Sequence, residues 1–413
     1  MIELAIASGL MAMVVMTTLA SVGWDVYEMR NRESWCWTLI LFLECVLMPN
    51  PYLGLVLAVF TVGLFQIGRA WYILRGIVIP TAGLAAFYIA LAPHLGRWMI
   101  APLLWACVIV GLALGVWGIL GYLNPQRPYN LIAPKSWFGL WGIYEHGTGP
   151  HRHICGQGNA LHLVSVSSLC LAATAGLIVM GQWWAAFALP VVIVPMVLTW
   201  MNQTNHLNEI ELKFPGQSGL SLLTLLLGLC WLYKPLLAVG LLAFGVVAVV
   251  ATLVMLKPWQ QGHRWIDSGR LAYWKDSIQL VWWPAGWRKR LFGFGTSTWF
   301  LATLRMGEER KHPNVYTAAH NEFVQQLLEH GILGLAVLLA YVAEALWRTS
   351  QAGPDGGAVF LMGLMVCSVA LVNFPWTFFH EYHPLKEKEE SWYGSPPLNA
   401  LCFVVAVMVE SIH

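Results

Sequence analysis

Between Pro235 and Leu256 the chain reads PLLAVGLLAFGVVAVVATLVML, without one charged side chain. A helix of roughly 20 such residues is long enough to cross the hydrocarbon core of a bilayer. Runs of this kind recur along the chain, and they constrain the fold more than any other feature. The chain is 58% hydrophobic and 11% charged, with a mean hydropathy of +0.62. A soluble domain carries about a quarter charged residues. So much apolar surface has no aqueous core to enter, and the solvent for most of this chain is lipid.

The first apolar stretch, from Ile2 to about Trp24, has no basic segment before it and no small-residue cleavage pattern, so it reads as a retained helix. Further runs lie near 35–49, 52–68, 76–93, 98–123, 159–180, 183–200, 218–233, 235–256, 331–347, 357–379 and 397–411. The expectation is an all-α polytopic membrane protein of about twelve spans, with the run at 35–49 short enough to be re-entrant. Four polar segments interrupt the runs, at 124–158, 201–217, 257–330 and 380–396. The longest divides the chain into a helical bundle over 1–256, an extracytoplasmic loop over 257–330 between the ninth and tenth spans, and C-terminal spans over 331–413. With a cytoplasmic N-terminus all four polar segments fall outside, which leaves Arg97, Lys234 and Arg348 to the inner loops. Charge bias does not favour that orientation.

Several function classes drop out. A net charge of +2 with scattered basic residues gives no footprint for nucleic acid. Most cysteines sit inside apolar runs, Cys155 stands alone in a polar loop, and no C-x-x-C spacing exists. No disulfide framework or thiolate metal site is expected. His146, His151 and His153, with His162 nearby, lack accompanying carboxylates and read as a solvated Gly/Pro loop. Glu209, Glu211 and Lys213, and the charge run at 386–390, read as solvated surface. Trp183-Trp184, Trp282-Trp283 and Trp347 flank apolar runs, as interfacial anchors do.

The segment HNEFVQQLLEHGILG, residues 320–334, stands at the end of the longest polar segment. Phe323, Val324, Leu327 and Leu328 recur at helical spacing and give a face able to lie on a membrane surface. Gly331 stands where a positive φ ends a helix cheaply, and Gly334 where a missing side chain lets helices approach. Upstream, GRLAYWKDSIQ over Gly269–Gln279 reads as another amphipathic helix.

His320 and Asn321, followed by Gly331 and Gly334, resemble the H-[N/S/Q]-x9-G-x-x-G signature of the O-antigen ligase and polymerase superfamily. Arg270 and Trp274 resemble that family's R-x-x-x-W helix, Gly293–Gly295 its glycine turn, and the segment around Asn159 its G-x-x-N segment. The chain departs from the pattern at Ser218-Gly219, where family members carry Ser-Arg. The resemblance implies a GT-C-like fold and a metal-independent, cofactor-free glycosyltransferase of the bacterial inner membrane, with its site on the periplasmic face. Its donor would be an undecaprenyl-diphosphate-linked glycan. Its acceptor would be lipid A-core in a ligase, a second glycan in a polymerase, or a protein hydroxyl; membrane lipids complete the partners and nucleic acid is absent. Ligation to lipid A-core is the preferred form.

Chemistry assigns the roles. A hydroxyl nucleophile needs a base, and a neutral imidazole titrates near working pH, which nominates His320, with Asn321 to orient it. A lipid diphosphate leaving group needs cations, and arginine binds phosphate bidentately. Arg270 is the first candidate; Arg264, Arg288, Lys289 and Arg290 follow. Two readings of other classes compete: a secondary transporter, and a non-catalytic lipid-binding scaffold. Against the transporter, the spans are nearly free of charge, with Glu3, Glu44, Glu344 and Glu410 near span ends.

Overall fold

The computed structural model describes residues 50–52, 54–55, 96–123, 160–198, 216–256, 270–295, 299, 319–371, 379–381, 391–393 and 396–412. The chain forms two compact units: one of Met1–Gly96, Tyr273–Ala345 and Trp376–Gly394, the other of Arg97–Ala272, Leu346–Pro375 and Ser395–His413.

In the second unit, the helix Ala160–Val179 is the axis of packing. Ile100–Leu123, Gly353–Ala370, Gly216–Tyr233 and Pro396–Glu410 all pack against it. Every residue from Leu163 to Leu177 is buried, so the helix is covered all round and shows no polar face. Small side chains permit this closeness. A Cβ on Gly111 would stand 2.7 Å from the Cys170 Cβ, so the glycine brings the Ile100–Leu123 backbone against its neighbour.

The same helix buries Ser165, Ser167, Ser168 and Thr174. Thr174 Oγ1 donates to the Cys170 carbonyl at 2.8 Å, one turn back. Ser168 Oγ lies 2.6 Å from the Val164 carbonyl and 2.7 Å from Ser221 Oγ, so its one hydroxyl proton serves the carbonyl and Ser221 donates to it. Gln217 Nε2 donates to Ser165 Oγ at 2.5 Å. Short hydroxyls thus join Ala160–Val179 to Gly216–Tyr233 without a charge.

Facing outward, Pro235–Leu256 exposes Leu236, Leu237, Leu242, Phe244 and Val247, which suits contact with lipid tails. Trp98, Trp183, Trp184 and Phe187 are exposed near helix ends; Trp184 stacks on Trp105 at 4.1 Å, and Trp105 Nε1 donates to Gln182 Oε1 at 2.7 Å. Aromatic side chains with a polar edge belong at the headgroup level of a bilayer. At the unit's C-terminal end, Arg348 pairs with Glu410 at 3.3 Å and donates to the Ile412 carbonyl at 2.6 Å.

The first unit holds the antiparallel pair Phe379–Glu381 and Ser391–Tyr393, most of the helix Arg270–Asp276, a π-helical continuation Ser277–Trp282 and the short helix Trp287–Phe292. The helix Glu322–Ser350 begins in this unit and ends in the other.

The expected fold class, about twelve transmembrane helices in a GT-C-like arrangement with the long loop between the ninth and tenth, is corrected here. Among the described residues three helices are long and apolar enough to cross a membrane: Arg97–Val116, Glu322–Gln351 and Gly353–Ala370. Leu163–Val179, Trp183–Leu198, Gln217–Tyr233 and Pro235–Gly245 are apolar but shorter. The run at 183–200 shows why counting apolar stretches overshoots. It folds as a 3-10 helix Trp183–Ala188, then the short helix Leu189–Val192 and a turn at Ile193, because Pro190 and Pro195 withhold two backbone donors. The β pair also departs from an all-α chain. The runs near 2–24, 35–49 and 76–93, and nearly all of 52–68, lie outside the described residues.

Candidate functional site: a buried polar stripe beside a glycine joint

The helix Glu322–Ser350 opens on Asn321, whose Oδ1 accepts the Val324 N–H at 3.0 Å. That is the N-cap bond, and it satisfies one of the donors that a helix start leaves open. Asn321 therefore sets where the helix begins. His320, just before it, has φ 50, the only positive φ at a non-glycine among the described residues. A left-handed imidazole-bearing residue persists only where its neighbours hold it. They do: the Ala319 N–H is taken by Gln325 Oε1 at 3.3 Å, and the Ala319 carbonyl by Trp274 Nε1 at 2.6 Å. Trp274 stands one turn beyond Arg270, so the two sequence motifs that carry these residues meet through the Ala319 backbone.

From this start, Glu322, Gln325, Gln326, Glu329 and His330 follow at i, i+3, i+4, i+7 and i+8, which is one helix face. All five are between 0 and 3% exposed. Gln326 Nε2 donates to Glu322 Oε1 at 2.7 Å, which turns its own Oε1 toward His330 Nδ1 at 2.5 Å. That orientation gives the His330 proton to Nδ1 in the neutral ring and leaves Nε2 as an acceptor. In the adjoining row, Glu329 Oε1 accepts from Gln325 Nε2 at 3.1 Å and from the Trp299 backbone at 3.2 Å. Trp299 Nε1 donates to the Tyr273 hydroxyl at 3.2 Å, with the two rings 5.7 Å apart. Carboxylates, carboxamides, an imidazole and aromatic rings are thus gathered in one buried place.

The opposite face is apolar, but it does not lie on a membrane surface. Val324, Leu327 and Leu328 pack against Tyr273, Trp282 and Trp299 of the same unit. The π-helical turn at Ser277–Trp282, where Trp283 N donates to the Ile278 carbonyl at 2.8 Å, aims part of that aromatic set. Such turns are frequent at functional sites.

Gly331 has φ 69 and ψ −167 and kinks the long helix, which then runs on to Ser350. The kink is filled by the glycine turn at Gly293–Gly295. Phe294 N donates to the Leu328 carbonyl at 3.0 Å, and Gly295 N to the Glu329 carbonyl at 2.8 Å. A Cβ on Gly293 would collide with the Glu329 carbonyl, and one on Gly331 with the Leu291 carbonyl. Both positions need glycine twice over, for φ and for space. Gly334 is buried one turn further along the same helix.

The remaining sequence candidates scatter. Arg288, Lys289 and Arg290 lie on the short helix Trp287–Phe292, the first two exposed and the third half-buried. Arg270 opens its helix, and its side chain lies outside the described residues, as do Arg264 and the loop histidines at 146, 151 and 153. Ser218-Gly219 falls in the first turn of Gly216–Tyr233. Among the described residues no group of three or more His, Cys, Asp or Glu converges as metal ligands. Sequence reasoning missed the stripe itself. The spacing that marks the apolar face of 322–330 marks its polar complement equally well, and that complement was the signal.

Comparison with family models and with curated proteins finds no match to this chain. The resemblance to the O-antigen ligase and polymerase superfamily is accordingly corrected, since its short motifs do not extend to a family match. The glycosyltransferase activity, with ligase and polymerase forms alike, falls with it. Among the described residues three helices are long and apolar enough to cross a membrane, rather than the many-span scaffold that the activity was expected to sit on. A coarser statement holds: the chain is membrane-associated, with long apolar helices buried within it.

Proposed function

We propose that this chain is a membrane protein that binds a hydroxyl-rich headgroup, as of a glycan-bearing lipid, at the stripe Glu322–His330. The observation that carries the reading is the burial of five hydrogen-bonding side chains on one helix face, ending at the kink of a membrane-length helix. Long polar side chains buried beside a membrane-length helix are costly, and that cost favours a binding role. Carboxylates accept from hydroxyls, and carboxamides both donate and accept, so the stripe matches a ligand rich in hydroxyls. His320 and Asn321 immediately precede the stripe in the chain, and Arg270, Arg264, Arg288 and Arg290 are the cations that would meet a linked phosphate. The undecaprenyl-diphosphate glycan and lipid A-core of the sequence reading are two members of this ligand class. The finer localisation, multi-pass in a bacterial inner membrane with the site toward the periplasm, belongs to the same proposal. Its support is the hydropathy of the chain and the long polar segment just before Glu322.

Binding is tested by native mass spectrometry on purified full-length protein. Both named lipids and simpler glycolipids are offered against phosphocholine lipids with matched chains. Preferential retention of the glycan-bearing lipids is expected, with Gln326→Leu weakening it about tenfold, because Glu322 and His330 lose the bonds that orient them in the stripe. Equal retention of both headgroups, or equal binding by the variant, rejects the reading and leaves the stripe a packing device.

A further inference from the structure

Beyond the stripe, one surface of the same unit is unlike its surroundings. The short helix Trp287–Phe292 carries three consecutive cations, Arg288, Lys289 and Arg290, among large exposed aromatic side chains. Trp283 is 64% exposed and Trp287 62%, values that an aqueous surface does not favour for indole. The cations are arranged over rings. The Arg288 guanidinium lies 5.5 Å from the Trp287 ring centroid, the Lys289 ammonium 4.7 Å from Phe294, and the Arg290 guanidinium 5.7 Å from Trp283. Among the described residues no carboxylate pairs with any of the three.

The level of this surface follows from the glycine joint. Leu291 and Gly293, at the end of the short helix, touch Gly331 backbone to backbone. Just beyond Gly331 the long helix exposes Ile332, Leu333 and Leu339, apolar side chains suited to lipid. Just before it the side chains are polar and buried. The bilayer boundary therefore runs close to Gly331, and the cationic, tryptophan-rich helix is held at that boundary.

We infer that the Trp283–Phe292 segment is an interfacial seat for anionic phospholipid, with indole rings at the headgroup–acyl boundary and Arg288 and Lys289 on headgroup phosphates. Tryptophan prefers that depth, and basic residues beside it are drawn to anionic lipid. The inference shares Arg288 with the proposed function but not the stripe: Gln326→Leu should leave phosphatidylglycerol retention unchanged, whereas the double variant below should lower it.

The test uses full-length protein in neutral detergent and native mass spectrometry of retained lipid. Phosphatidylglycerol is the probe, with phosphatidylcholine of the same chains and inorganic phosphate as comparators. Phosphatidylglycerol should be retained over phosphatidylcholine, and raising the salt should weaken it, since the cations are exposed. The double variant Arg288→Gln/Lys289→Gln should lower apparent affinity roughly tenfold or more, at several-fold per cation. Arg288→Lys, which keeps the charge, should leave it nearly intact. Equal retention of the two lipids, salt-insensitive binding, or undiminished binding by the double variant overturns the inference. So does displacement of the lipid by inorganic phosphate beyond that by chloride at matched ionic strength, which would mean a simple anion pocket. The salt series on the unaltered protein decides even where the double variant does not fold.

Discussion

Two helices of this protein bury polar side chains, and they do so differently. Ala160–Val179 buries serines and a threonine whose hydroxyls return to carbonyls of their own helix or meet another hydroxyl. These groups are small and neutral, and Ser165, Ser168 and Thr174 find partners within reach, so an apolar interior holds them at little cost. The start of Glu322–Ser350 buries two glutamates, two glutamines and a histidine, long side chains that need several partners each. Burying such groups opposes stability unless nearly every bond is made. The first set is a way of fastening helices, and the second is the set for which a ligand is proposed.

The comparison breaks first at the glycine joint, on which the second set depends. Gly293→Ala places a Cβ against the Glu329 carbonyl and strains a residue at φ 80. Thermal unfolding in detergent should show a loss of at least about 3 kcal/mol, or no folded protein at all. A loss below about 1 kcal/mol would show that the joint gives way.

Next comes Glu329→Ala, which strips an acceptor from both Gln325 and the Trp299 N–H. A destabilisation of about 3 kcal/mol is expected, because two buried donors lose their partner. Glu329→Gln, which keeps an acceptor oxygen, should recover much of it; a variant no better than alanine would place the value of Glu329 in its charge.

A smaller effect attends the cap. Asn321→Ala should reduce stability by about 1 kcal/mol and speed amide exchange in the first turn after Glu322, without altering exchange beyond Gly331. Exchange that rises along the whole helix would contradict a local capping role. Smallest is Ser168→Ala in the fastening set, expected to cost about 0.6 kcal/mol, with a double-mutant cycle against Ser221→Ala of similar size. A coupling as large as the Glu329 effect would erase the distinction between the two helices.

Part of this arrangement was readable in the sequence. Gly331 stood out because a glycine after a periodic apolar stretch implies a change in backbone direction, and its φ is 69. The residue it touches was not readable, since nothing in local spacing says that Gly293 would fill the kink from thirty-eight positions away. Val324, Leu327 and Leu328 were legible as an apolar face, but amphipathicity alone does not say whether lipid or the chain itself covers it. The span count failed for a related reason. Hydropathy registers apolar content, whereas a span also needs unbroken backbone hydrogen bonding, and Pro190 and Pro195 break it. Asn321 was read as orienting the imidazole or an acceptor hydroxyl; that its Oδ1 also caps the helix was not read, although the demand arises at any helix start.

The contact between Gly293 and Gly331 has one more consequence. Side chains between two elements act as cushions, because a rotamer change absorbs a small shift. Here main chain bears on main chain, fastened by two hydrogen bonds that the Phe294 and Gly295 N–H groups donate to the Leu328 and Glu329 carbonyls. Such a joint has no slack. Any displacement of the Trp287–Phe292 segment is handed on undamped to the last turn before the kink, where Glu329 and His330 stand.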